Sequence, residues 1–204
     1  MRFISCGNLR SNCVSSRVGM PAPSLRSRLL LGVALVAVGV GCGLEPARAQ
    51  TWDGETDFNW GTATNWVGDV VPAAAGIVVI NNGGLANQPT LNVASAALTA
   101  TNISAGTLTV DNTLTSTIVT LSGTGNLTIN AATGNVVGNV GMGSTGTLAN
   151  NGTITGNLGI TLGTTNNAGA VTGTTTISGG ILNLNAGSDL SNTAALTVNG
   201  GTVN

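Results

Sequence analysis

Two stretches of this chain set matching side chains nineteen residues apart: Leu108 and Val110 in Ile103-Ser-Ala-Gly-Thr-Leu108-Thr-Val110-Asp, and Leu127 and Ile129 in Leu121-Ser-Gly-Thr-Gly-Asn-Leu127-Thr-Ile129-Asn. In each, apolar residues alternate with small polar ones, so Leu108 and Val110 fall on one face of an extended strand and Thr107 and Thr109 on the other. A short alternating strand, a turn of Gly, Asn, Ser or Asp, and a return about every twenty residues is the pattern of a solenoid. Each unit there is too small to bury its apolar stripe alone and buries it against its neighbours, about 4.8 Å away. The pattern recurs, less regularly, in Ile177-Ser-Gly-Gly-Ile-Leu182-Asn-Leu184 and around Leu196-Thr-Val198-Asn. Disorder is the competing reading for text so rich in Gly, Asn, Ser and Thr, but disordered segments lack Leu, Ile and Val at strand spacing. No helical period occurs after residue 50. The expected fold is all-β: a degenerate β-solenoid over residues 91–204, continuing past the last residue, preceded by a cap and first strands over 50–90.

Charge divides the chain in two. All six basic residues are arginines at or before Arg48, so residues 1–49 carry +5, while residues 50–204 carry −6 and contain no Lys, Arg, His, Tyr or Cys. A segment without cations is a poor partner for nucleic acid or for an anionic membrane surface. Without His or Lys it assembles no Ser-His-Asp, Ser-Lys or Cys-His nucleophile. Cys6, Cys13 and Cys42 all lie in the first segment. No metal or cofactor is expected: Asp111 and Asp189 are the only acids after Asp69, too few for calcium-binding repeats.

The first segment is an export signal. Arg26 and Arg28 precede the apolar run Leu29–Val40, and Ala47-Arg-Ala49 places small residues at the −3 and −1 positions ahead of Gln50. The uncharged run, extended to Leu44, is 16 residues, short of the roughly 20 that span a bilayer. Residues 1–49 are therefore expected to be a cleavable signal peptide cut between Ala49 and Gln50, with Met20 an alternative start. Cys42 suggests a lipoprotein site, but Gly39 stands where a large aliphatic residue is wanted.

Directly after this junction, Trp52, Trp60, Trp66 and Phe58 fall within fifteen residues, with Asp53, Glu55 and Asp57 among them and Asp69 just beyond. Aromatics this concentrated bury a large area, and repeat folds need atypical ends, so the cluster reads as a cap over the first rung. The functional alternative is a carbohydrate contact through Trp52, Trp60 and Trp66. Asp53, Glu55 and Asp57, at i, i+2 and i+4, would share one face of a strand, as a glycosidase pair could; the alternative is a solvated acidic turn. Thr-x-Thr pairs at Thr99/Thr101, Thr107/Thr109, Thr153/Thr155 and Thr174/Thr176 are spaced too irregularly to form one flat rank.

With Thr51-Trp-Asp-Gly54, Asn59-Trp60 and Asn65-Trp66-Val after the export signal, and phrases such as Ile-Ser-Gly-Gly-Ile-Leu-Asn-Leu and Leu-Thr-Val-Asn-Gly-Gly-Thr-Val-Asn, residues 50–204 resemble the N-terminal part of a bacterial autotransporter passenger domain built of autotransporter-associated β-strand repeats. The resemblance implies a right-handed parallel β-helix on a Gram-negative outer membrane, acting as adhesin, spacer or self-associating surface. It implies as partners a C-terminal translocation barrel and a host or neighbouring-cell surface, a polysaccharide or a second copy. A barrel needs aromatic girdles, and no aromatic residue follows Trp66, so the barrel is expected to lie beyond this sequence. Two other readings remain open: a polysaccharide-active β-helix enzyme with catalytic rungs elsewhere, and a secreted structural β-solenoid without a barrel.

Overall fold

The structure, a computed structural model, describes residues 2–5, 14–17, 48–190 and 195–204. The chain divides into two compact units, Met1–Leu44 and Glu45–Asn204. In the first, Arg2–Ser5 pairs antiparallel with Val14–Arg17. The apolar run of the expected signal peptide and Ala47 lie outside the described residues.

The second unit is a parallel β-solenoid. Its strands stack into two sheets, one of ten strands and one of seven, and every ladder within them is parallel. The only helical element among the described residues is the 3-10 turn Ala63–Asn65. The nineteen-residue spacing is the pairing register itself: Leu108 lies against Leu127, and Val110 against Ile129. Further along the narrow sheet the column continues through Leu148, Thr165, Leu182 and Val203. The steps along that column are 21, 17, 17 and 21 residues. Narrow-sheet strands stay four residues long from Thr107–Val110 to Ile181–Leu184. The variation in rung length is taken up by the turns and by the wide sheet.

Each long strand of the wide sheet is bent. Thr113–Leu121 sends Leu114, Ser116, Val119 and Leu121 inward, with Thr117 and Ile118 exposed between the two inward pairs. In the next rung, Asn135–Met142, the register shifts at this bend. Farther on, its two halves pair with separate strands, Thr153–Thr155 and Leu158–Ile160. Gly138 sits at the corner with φ 140°, and a Cβ there would overlap the carbonyl oxygen of Ser116 in the rung before. Gly156 takes the same corner one rung on, with φ 154°, and a Cβ there would overlap the carbonyl oxygen of Gly138. Rungs this close leave no room for a side chain at the corner, and L residues avoid such φ values.

The interior is one continuous apolar cluster from Trp52, Trp60 and Trp66 through Leu127 to Ile177 and Leu182. Buried polar side chains interrupt it in several columns. The inward column Leu91, Val110, Ile129 passes to Asn150 and Asn167 before reaching Leu184. Both asparagines are fully buried, and the Asn150 amide donates to Asn167 Oδ1 at 2.7 Å and to the Ala170 carbonyl at 3.1 Å. Asn150 Oδ1 and the hydroxyls of Thr165 and Thr175 are buried without a hydrogen-bond partner. In the last rung, Leu196, Val198 and Val203 occupy inward columns, paired with Thr175, Ile177 and Leu182, and are exposed.

Candidate functional site: the tryptophan-rich loop

Residues 52–66 leave the first wide-sheet strand, Ala49–Thr51, and fold across the N-terminal side of the stack. Trp52 N–H donates to the Val79 carbonyl at 3.0 Å, continuing the ladder for one residue. The loop then crosses to the narrow sheet, whose outermost strand is Thr90–Leu91. There Thr90 N–H donates to the Phe58 carbonyl at 2.7 Å and Trp60 N–H to the Thr90 carbonyl at 3.1 Å. Backbone groups at the outer edge of that strand, which would otherwise offer a template for another chain, are thus occupied by the loop.

The side chains explain why so polar a loop is ordered. Asn65 is fully buried and uses its whole amide. Its Oδ1 accepts from Thr56 N–H at 2.9 Å and Asp57 N–H at 3.0 Å, and its Nδ2 donates to Asp57 Oδ1 at 2.6 Å and the Asn59 carbonyl at 3.0 Å. Asp57 receives on both oxygens: Oδ1 also from Asn59 N–H at 2.7 Å, Oδ2 from the Asn59 amide at 2.9 Å and the Thr62 hydroxyl at 3.2 Å. These bonds, led by the Asn59 N–H, then the Asn59 and Asn65 amides, hold the Asp57 carboxyl below its ordinary value of 3.8 against an opposing desolvation. The Trp52 indole N–H donates to the Asn87 carbonyl at 2.8 Å, and the Asn87 amide returns a bond to the Gly54 carbonyl at 2.9 Å. The Trp66 indole N–H donates to the Trp60 carbonyl at 2.9 Å.

The three indoles pack edge to face, Trp52 on Trp66 at 5.0 Å and Trp60 on Trp66 at 4.8 Å. They are 2%, 2% and 0% exposed. A sugar-stacking platform needs an open ring face, and none of the three has one here; their faces are spent on each other and on the core. Asp53, Glu55 and Asp57 lie in irregular loop rather than on one face of a strand. Glu55 is exposed, Asp53 Oδ1 is buried without a hydrogen-bond partner, and Asp57 is committed to the loop. A general acid needs its carboxyl pKa raised toward the working pH; that of Asp57 moves the other way. The four Thr-x-Thr pairs form no single rank, Thr107 and Thr109 lying in the narrow sheet and Thr99, Thr101, Thr153 and Thr155 in the wide one, and Thr101 is buried, donating its hydroxyl to Ser116 Oγ at 3.2 Å.

Of the predicted processing residues, Ala49 and Gln50 are in the first strand, paired with Ile77 and Val78. Among the described residues no group of three or more His, Cys, Asp or Glu side chains could hold a metal ion, and no helix is long and apolar enough to cross a membrane. Asn59, Asn65 and Asn87 escape sequence reasoning, because their partners are set by how the loop crosses the stack; only the recurrence of Asn before Trp60 and Trp66 hinted at them. No family model, curated protein or solved structure matches the chain.

Proposed function

We propose that residues 50–204 are a non-catalytic, passenger-type segment of an autotransporter-like surface protein. In this reading the chain is exported by a signal peptide cut between Ala49 and Gln50. It is then carried through the outer membrane of a Gram-negative cell by a translocation barrel and displayed as an adhesin, spacer or self-associating surface. One observation carries the proposal: an uninterrupted parallel stack of rungs whose N-terminal side is covered by a loop hydrogen-bonded to itself and to the outermost strand. Such an element is built for reach and for lateral surface, because each added rung lengthens it by about 4.8 Å at little topological cost.

Two further observations support the reading. The tryptophans and the most hydrogen-bonded carboxylate are consumed in holding the loop together, which leaves them structural work. The outer faces are nearly chargeless, with no Lys, Arg or His after Arg48. They therefore suit contacts with neutral polysaccharide, another cell surface or a second copy better than contacts with nucleic acid. Fusing the whole chain ahead of an outer-membrane translocation barrel in a Gram-negative host, then treating intact cells with protease, tests the proposal. Release of a solenoid fragment lacking residues 1–49 is the expected outcome. Retention of an uncleaved chain in the cytoplasm would sink it.

A further inference from the structure

We infer that the mature chain carries a cyclised N-terminus, in which Gln50 has closed on itself to a five-membered lactam (a pyroglutamyl residue). The inference rests on the proposed cut after Ala49, which would leave Gln50 with a free α-amino group. That nitrogen attacks Cδ of the same side chain; the N–Cδ bond forms, the Cδ–Nε2 bond breaks, and Nε2 leaves as ammonia. Nothing is oxidised or reduced, and no co-reactant is needed. Amine and amide carbon belong to one residue, so the reaction has the advantage of an intramolecular attack.

The structure leaves the Gln50 side chain lightly held. Gln50 pairs with Val78, and the same column continues inward through Thr101 and Val119. All three of those residues are fully buried. Gln50 itself is half-buried, on the end strand of the wide sheet. The lactam is neutral and compact and keeps one N–H donor. The Gln50 amide is restrained by a single exposed bond, Nε2 donating to the Val70 carbonyl at 2.5 Å. A lone exposed bond between neutral groups is a modest restraint, and terminal strands open first, so the side chain is free to turn back.

The consequence follows from composition. Residues 50–204 contain no Lys, Arg or His, so the α-ammonium of Gln50 would be the only cation within that segment. Cyclisation removes it, leaving residues 50–204 with no positive group and the chain with no terminal amine for an aminopeptidase to grip.

The test is to express the full chain with its own residues 1–49 in a Gram-negative host, purify the exported protein and analyse its N-terminal peptide by mass spectrometry and amine labelling. The inference predicts a peptide starting at position 50, lighter by one ammonia than the open form, with no labelled α-amine. The variant Gln50→Asn, whose ring would have to be four-membered, should start at the same position and label fully. A wild-type peptide that starts at Gln50 and stays labelled after prolonged incubation overturns the lactam while leaving the cut intact. A terminus elsewhere, including a lipidated Cys42, overturns the cut and the lactam with it.

Discussion

Gly138→Ala should break the stack where it bends. The substitution forces an L residue to φ 140°, a conformation that costs on the order of 1–3 kcal/mol. The new Cβ also overlaps the carbonyl oxygen of Ser116, a backbone atom fixed by the preceding rung. Moving that backbone in a tightly packed interior costs roughly 1–3 kcal/mol more, so the total is about 2–6 kcal/mol. Domains are stable by only about 5–15 kcal/mol, and solenoid rungs contact only their neighbours, so the loss should appear as a large drop in urea midpoint or as loss of cooperativity. Gly141 supplies the control. It lies in the same strand, Asn135–Met142, and a Cβ there would have its nearest neighbour, the Val119 carbonyl oxygen, at 4.0 Å. Gly141→Ala should be neutral or stabilising by about 0.5–1 kcal/mol, since glycine weakens a strand interior by that amount. Urea unfolding followed by far-UV circular dichroism reads both. Equal midpoints for the two variants would refute the corner account.

Asn65→Ala removes four hydrogen bonds from the loop over the first rung and should cost about 2–4 kcal/mol by urea unfolding, with the indole fluorescence transition moving to lower urea than the circular dichroism transition. Asp57 titrates below its ordinary value when folded, so its contribution is present above the unfolded pKa and is lost as pH falls through the folded one. Asp57→Asn should therefore flatten the decline of the melting temperature over roughly pH 5 to 2, measured by thermal scans at each pH. Leu127→Ala empties a fully buried position between Leu108 and Leu148 and should cost about 2–5 kcal/mol. Thr165→Val removes a buried hydroxyl without a partner and should raise the unfolding free energy by about 1 kcal/mol.

The rung was legible where alternation and burial agreed. At Leu108, Val110, Leu127 and Ile129 every inward position is apolar, so spacing alone gave the register. Two later rungs, Thr147–Asn150 and Thr164–Asn167, were hidden because Asn150, Thr165 and Asn167 point inward. Alternation cannot flag an inward polar residue whose partner lies in the next rung, as Asn150 finds Asn167. Drift in the period has another origin: narrow-sheet strands keep four residues, whereas turns and the wide sheet change length between rungs. The tryptophan cluster was visible as a dense apolar feature, but composition does not say whether a ring face is open. That depends on Asn65 and Asp57 drawing the loop shut through bonds spanning eight residues. The three carboxylates share no face because i, i+2 spacing implies one only on a strand, and Gly54, at φ 61°, turns the chain out of one.

The central claim is the stacking of rungs, and inter-rung distance tests it most directly. Thr109, Thr128, Ala149, Asn166 and Asn183 form one outward column, each residue one rung beyond the last. With Cys6, Cys13 and Cys42 replaced by serine, spin labels would be attached at Thr109 paired with Asn166 and, separately, at Thr109 paired with Asn183. Dipolar electron paramagnetic resonance should give narrow distributions about three and four strand spacings long, roughly 14 and 19 Å, the second exceeding the first by one spacing of about 4.8 Å. Broad distributions, or a second distance no longer than the first, would contradict the solenoid.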